Sequence, residues 1–561
     1  MNSQIDSYRR PDPTAMDKGY DKDVKALYKN DSVDVEEGQA SSNEGLHRQM
    51  NARHLTFISL GSVIGTGIFL GIGSTLASSG PVGLVLAYAV ICSVVFCVML
   101  CVGEMVTYLP VVGAHLRLSG RFVDESLSAA MSWNYWYCWS LIIAAEISAL
   151  ATLVTYWTTA VPSGAWIAIA LVVCLASNMC GPRVYAEIEF YMSSIKVLTI
   201  VGLIILSIVI DAGGAPTKDP IGFRYWRNPG PFVQYQGIPG NTGRFLGWFS
   251  GLTGAAFSSI GAEMLALAAA ETKNPRRIVP QAIKATWIRI IVFYFVSSFC
   301  VSLIISSSND RLGSGSTASA SPYVIAIQNA GIKALPSIIN ACILTSALSA
   351  SIGDCYTATR TLHAMAGKGL APRIFSKTTS WGQPWVATLA SWSIGLLAFL
   401  SVSQGAATAF NFLLNLTALA GIITWLCIGI TYIRFRAGMK AQGISRDVLP
   451  YKNGFTLIGA YWIIFIISLV TVFSGWSVFR PGKWDTQTFI SNYLPIALFT
   501  LIYLTYKVTT KSKFVGVHEM DFTSGVAEFE EQHAQAEAER AAIKAMKNEK
   551  GGRKWYSYII A

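Results

Sequence analysis

Residues 59–73 read Ser59-Leu60-Gly61-Ser62-Val63-Ile64-Gly65-Thr66-Gly67-Ile68-Phe69-Leu70-Gly71-Ile72-Gly73. The stretch lies inside an apolar run long enough to cross a bilayer, which takes about 20 residues as a helix. Glycine nonetheless recurs at positions 61, 65, 67, 71 and 73. Each glycine costs a helix up to about 1 kcal/mol relative to alanine, and in hydrocarbon every freed backbone group still needs a partner. Two readings are open. Gly61 with Gly65, and Gly67 with Gly71, form GxxxG pairs that suit close helix packing. Alternatively the helix unwinds at bilayer depth beside Ser62 and Thr66, exposing amides that can hold a carboxylate and carbonyls that can hold an ammonium.

A second stretch of this kind favours the unwound reading. Residues Gly247–Glu271 contain Gly251, Gly254 and Gly261, with Ala255-Ala256-Phe257-Ser258-Ser259-Ile260-Gly261-Ala262-Glu263 at their centre. A charge in a membrane span costs at least about 2.5–3.5 kcal/mol and marks function by default, so Glu263 stands out. Gly65 and Gly261 fall in the first and sixth apolar runs, five apart. Interrupted helices at corresponding positions of two five-helix halves predict an inverted-repeat transporter with its site near the midplane.

The rest of the chain supports this. Of 561 residues, 52% are hydrophobic and only 13% charged, against about 25% charged in soluble domains. About twelve apolar runs follow Leu55: 55–79, 84–108, 129–160, 163–180, 187–211, 245–270, 284–307, 336–366, 384–404, 408–434, 455–476 and 488–508. The fold class is therefore an all-α polytopic membrane protein. With the amino terminus inside, the inner loops carry Arg117 and Arg121, Arg183, then Lys273, Arg276 and Arg277. They continue with Arg360, Lys368, Arg373 and Lys377, and then Arg434, Arg436, Lys440, Arg446 and Lys452. This asymmetry puts both termini in the cytoplasm. It also accounts for the net charge of +11 without nucleic acid as a partner. The ten cysteines fall in or beside apolar runs without a CxxC pair, which suits buried thiols better than a disulfide framework or a zinc site.

Residues 1–50 are too polar to fold alone. They form a cytoplasmic tail whose lysines can be modified, with ubiquitin-ligase machinery as the partner expected at the tails. Residues 51–211 make the first five-helix repeat, 212–244 an outer loop and 245–435 the second repeat. Residues 436–510 hold two further helices, and 511–561 a second cytoplasmic tail in which Val526–Met546 has helical propensity.

Several motifs carry a family resemblance. Gly61-Ser-Val-Ile-Gly-Thr-Gly-Ile-Phe69 resembles the first-helix motif of the amino acid–polyamine–organocation transporters. Gly103-Glu-Met, Arg121-Phe-Val-Asp-Glu, Trp133-Asn-Tyr-Trp, Ala270-Glu-Thr-Lys-Asn-Pro-Arg-Arg-Ile-Val-Pro280 and Phe410-Asn-Phe-Leu-Leu-Asn are similar to the fungal amino-acid permease branch. The likeness covers roughly residues 50–515. It implies a LeuT-type 5+5 inverted repeat plus two extra helices, and proton-coupled amino-acid uptake across the plasma membrane, with the proton as coupling ion and no other cofactor. It puts the substrate carboxylate at Ser62, Thr66 and Gly67. The ammonium would meet the carbonyls of Val63, Phe257 and Ile260, with Ser258 beside them and Phe257 closing over the site. The family's Gly-Thr-Glu in the sixth helix reads Gly261-Ala262-Glu263 here, so substrate preference does not transfer directly.

Several charged residues fall inside the apolar runs. Lys196 either snorkels, pairs with a carboxylate, or titrates as a desolvated amine; a lysine at this place in proton-coupled relatives favours the last, with Ser349 opposite it. Glu263 either accepts structural hydrogen bonds or couples the outer gate to protonation. Glu146 can face the substrate side chain, and Glu104 reads as structural. Glu271 and Asn274–Pro280 read as a helix stop and an inner-gate network. A Walker A sequence is absent, which argues against an ATP-driven pump, and no nucleophile–base set suggests an enzyme. The expected function is proton-coupled import of neutral or varied amino acids, with proline or 4-aminobutyrate as narrower options. An amino-acid receptor and a channel are the rivals.

Overall fold

The computed structural model describes residues 64–524, except 110, 112, 265–279, 281–282, 284–286, 313–320, 381 and 405. The expected contributions of Ser62, Val63, Glu271, 274–279, the amino-terminal tail and the carboxy-terminal tail beyond 524 lie outside the described residues.

The apolar runs form helices because hydrocarbon leaves the backbone no other partner than itself. In chain order these are α1 (Gly67–Ser79), α2 (Pro81–Tyr108), α3 (Ala114–Phe122), α4 (Glu125–Val154) and α5 (Ser163–Met179). Then come α6 (Pro182–Asp211), α7 (Gly240–Ser259), α8 (Trp287–Ile304), α9 (Pro322–Asn329) and α10 (Leu335–Gly367). The last four are α11 (Trp385–Ser403), α12 (Ala406–Ala441), α13 (Thr456–Phe473) and α14 (Thr486–Thr510). Nine helices among the described residues are long and apolar enough to cross a membrane. The runs outside that set are the described half of the first, the short fourth, and the sixth, which glycine and serine make less apolar.

Helix α4 is the centre of the bundle. Nearly every residue on it is buried, from Ser126 to Val154, and it packs on both α10 and α12. Broken α1 lies against α7, and α6 lies against α10. Helix α13 covers α2 and α12, whereas α14 is peripheral, with only Ser491, Asn492 and Pro495 buried.

Basic residues assigned to the inner loops lie on helices. Arg117 and Arg121, expected in a loop, lie on the amphipathic helix α3. Arg360 lies within α10, its guanidinium 4.8 Å from the Tyr356 ring centroid. Arg434, Arg436 and Lys440 lie on α12, whose 36 residues span roughly 54 Å at 1.5 Å per residue, well beyond a hydrocarbon core of about 30 Å. The helix continues because its polar end has left the apolar layer, where basic side chains no longer carry a desolvation cost.

Residues 511–524 are docked across this same end. Asp124 caps α4 by accepting from the Ser126 amide at 3.0 Å, and also accepts from Lys507 at 2.5 Å and Ser512 at 2.6 Å. The Val515 amide donates to the Val123 carbonyl at 3.0 Å, and Arg434 donates to the Val515 carbonyl. Phe522 is buried against Phe122 and Phe435. Arg121 pairs with Asp521 at 2.9 Å.

Candidate functional site

The first break falls where the glycines are densest. Ile64 and Gly65 are not helical, and the chain enters α1 at Thr66 through a π-turn over Gly67–Gly71. Wide turns of this kind favour functional sites because they release backbone groups from the ordinary ladder. The released amide is that of Thr66. It donates to Glu146 Oε1 at 3.0 Å and Oε2 at 3.3 Å, while the Thr66 hydroxyl donates to Oε1 at 3.1 Å. The Ile64 carbonyl accepts from Ser346 Oγ at 3.4 Å. A carboxylate therefore occupies the amide and hydroxyl that the resemblance assigns to a substrate carboxylate, and it belongs to α4.

The second break faces the first. Helix α7 ends at Ser259, Ile260 turns extended at φ −59° and ψ 141°, and Gly261 follows at φ +99°. Only glycine adopts that angle without strain, so the helix stops here. Glu263 accepts from the Gly261 amide at 3.3 Å and from Trp425 Nε1 at 3.1 Å. It is a bridge between the break and α12. Gly67 lets the breaks meet, since a Cβ there would sit 2.7 Å from Ser258 Cα. Ser258 is itself tied to α2 through Tyr88, at 2.9 Å between hydroxyl oxygens.

Between the breaks lies a small cavity of about 30 Å³, room for a water or two but not for an amino acid. Gly65, Gly67, Phe257, Ser258 and Ile260 line it from the two broken helices, with Trp139, Ile142 and Glu146 from α4 and Ala350 and Asp354 from α10. Phe257 stands edge-on to Phe410 of α12, ring centroids 6.3 Å apart. Thr66, Gly67, Glu146, Phe257, Ser258 and Ile260 are thus brought together. Glu146 faces the Thr66 amide, whereas the sequence pointed it at a substrate side chain.

Lys196, Glu263 and Ser349 do not share one cluster. Lys196 Nζ lies 3.7 Å from Glu189 Oε1, both side chains almost wholly buried. Glu189 Oε1 also accepts from Ser193 at 2.8 Å, and Oε2 accepts from Ser349 at 2.7 Å. The expected pairing of Lys196 with Ser349 thus runs through a carboxylate. Glu189 and Lys196 are seven residues apart on α6, two turns along one face.

Two residues of this region escaped the sequence reading. Glu189 was visible only as an acid near the start of its run. Asp354 lines the cavity, and among the described residues its buried Oδ2 has no hydrogen-bond partner. The signal available for both was an acid inside a membrane span. Glu104, by contrast, is fully engaged, accepting from Tyr432 at 2.5 Å, Thr456 at 2.6 Å, the Asn453 amide at 2.8 Å and Arg446 at 3.0 Å. It joins α2 to α12 and to the loop before α13, away from the cavity.

The family model described as "Amino acid permease" matches residues 54–519. The "Proline-specific permease" of Emericella nidulans is 40% identical over 502 residues, covering 88% of this chain and 91% of that protein. The "Basic amino-acid permease" of Saccharomyces cerevisiae is 38% identical, covering 90% of this chain and 88% of the relative. The "Dicarboxylic amino acid permease" of the same yeast is 37% identical, covering 88% and 82%. Such relatives are transporters, not enzymes, and their names span neutral, cationic and anionic substrates at nearly equal identity. This chain is a multi-pass membrane protein of the amino acid permease family.

Proposed function

We propose that this permease imports amino acids with protons across the plasma membrane, with both termini cytoplasmic, and that it favours neutral substrates. The observation that carries the reading is the carboxylate of Glu146 on the Thr66 amide and hydroxyl at a helix break. A group of donors that holds one carboxylate suits another. On this reading the substrate carboxylate replaces Glu146 at Thr66, and its ammonium meets the carbonyls exposed around Phe257 and Ile260. Trp139, Ile142 and Phe257 supply an apolar wall for the side chain. The cavity must widen for an amino acid to enter, which requires α1 and α7 to part from α4 and α10. Phe257 and Phe410 close one end in alternation.

Proton coupling is supported by the Lys196–Glu189–Ser349 chain, which links α6 to α10 with both charges desolvated. A change in protonation there alters the attraction between the two helices. Each positive charge moved inward adds about 2.3 kcal/mol per 100 mV of membrane potential. A second reading, carriage of a cationic amino acid, draws on the unpartnered Asp354 oxygen facing the cavity. Uptake of a labelled amino-acid panel in yeast lacking its own permeases, with and without a protonophore, tests both. Saturable, protonophore-sensitive uptake of small neutral amino acids is expected. Uptake confined to lysine and arginine establishes the second reading. No uptake despite protein at the cell surface overturns both and favours a receptor.

A further inference from the structure

Away from the site, a cavity of about 370 Å³ opens where α12 ends and α13 begins. Arg436 and Lys440 of α12, Arg446 of the connecting loop, and Leu457 and Tyr461 of α13 form its walls. Arg446 is already engaged, donating to Glu104 at 3.0 Å and to the Asn453 carbonyl at 2.9 Å. The nearby Asp447 is taken by Lys452 at 2.6 Å. Arg436 and Lys440 have no acidic partner among the described residues, and the Arg436 Nε is buried without an acceptor. They lie four apart on one helix face, where like charges repel. An arrangement of two unneutralised cations around a concavity calls for an anion from outside the chain.

The other half of the cavity identifies its kind. Leu457 and Tyr461 continue outward into Phe455, just before α13, and Ile458 and Phe465 on it, all exposed. A membrane helix that exposes a continuous apolar face does so to acyl chains. Arg436 and Lys440 lie at the polar end of α12, where the helix leaves the hydrocarbon, so the charged part of the cavity sits at headgroup level. We infer that this cavity is a binding site for a phospholipid with an anionic headgroup, its phosphate held by Arg436 and Lys440 and one acyl chain lying along Leu457 and Tyr461. The proposed orientation puts it in the cytoplasmic leaflet, where anionic lipids and basic juxtamembrane residues meet. A soluble phosphate would use the cations and leave the apolar wall unused.

The test measures binding rather than transport, so its outcome is independent of the proposed substrate and coupling. Purified protein is equilibrated with mixed micelles containing equal phosphatidylserine and phosphatidylcholine, and retained lipid is quantified by mass spectrometry. Wild type should enrich phosphatidylserine about 30-fold, the combined worth of two basic side chains at a membrane surface. R436Q/K440Q should fall to near parity, while R436K/K440R and the distant K483Q retain the enrichment. The site is refuted by equal lipid preference in wild type and R436Q/K440Q. It is likewise refuted as a lipid site if glycerophosphoserine or inorganic phosphate displaces the phospholipid at equal concentration.

Discussion

If Glu146 holds the place of the substrate carboxylate, weakening its grip on Thr66 should tighten substrate binding. Glu146→Gln is the conservative perturbation. Its amide oxygen can still accept from the Thr66 N–H and hydroxyl, which lie 3.0 and 3.1 Å from Oε1, but the bonds lose their charge assistance. A hydrogen bond to a charged group contributes about 1.5–3 kcal/mol and a neutral one about 0.5–1.5. The competition thus falls by about 1.5 kcal/mol, and Kd for the substrate should drop close to tenfold. Equilibrium binding to purified protein is the appropriate assay, because uptake also depends on steps in which Glu146 moves. Thr66→Val removes a donor shared by Glu146 and the substrate, so it should shift Kd less than Glu146→Gln does. An unchanged or weaker affinity in correctly folded Glu146→Gln would refute the displacement.

Further expectations follow from packing, pairing and titration. Gly67→Ala places a Cβ 2.7 Å from Ser258 Cα, and backbone cannot yield cheaply. Overpacking of about 1–3 kcal/mol and loss of substrate binding are expected, and an Ala variant with native Kd and stability would count against the close approach of the two breaks. Glu104→Ala strands four donors, including the Arg446 cation. Breaking a buried charge pair costs about 3–5 kcal/mol, so the temperature at which half the protein stays monodisperse should drop, and no drop would contradict the network. Lys196→Met leaves Glu189 without its cation. Proteoliposomes should then lose proton-driven accumulation yet keep exchange of preloaded substrate, whereas intact accumulation removes Lys196 from coupling. For Asp521, partial burial raises the carboxyl, but the Ser524 and Thr523 amides and the Arg121 guanidinium outweigh it and hold it at about 2. A depressed pKa stabilises above the unfolded value of about 4 and is lost as pH falls through the folded one. Hydrogen-exchange protection of residues 515–522, corrected for intrinsic rates, should persist at pH 5 and fade toward pH 2. Protection lost already above pH 5 would show that Asp521 does not hold the segment.

The amino-acid sequence by itself determined the membrane architecture and the two breaks. Hydrocarbon admits helices, and runs of apolar residues near the length of a bilayer leave little freedom, so most span positions were legible to within a few residues. Gly65 and Gly261 were legible for the same reason: glycine inside an apolar run conflicts with local propensity, and a conflict of that kind marks a functional break. What only the tertiary structure decided is which buried groups meet. Glu146 is 80 residues from Thr66 in the chain and Ser349 is 160 from Glu189. Their pairing depends on how α4, α6 and α10 pack around α1, and no local periodicity encodes that. Asp354 and Glu104 looked alike as acids within spans. One lines the cavity with an unpartnered oxygen and the other is saturated by four donors, because a carboxylate's role is set by the donors that distant helices bring to it.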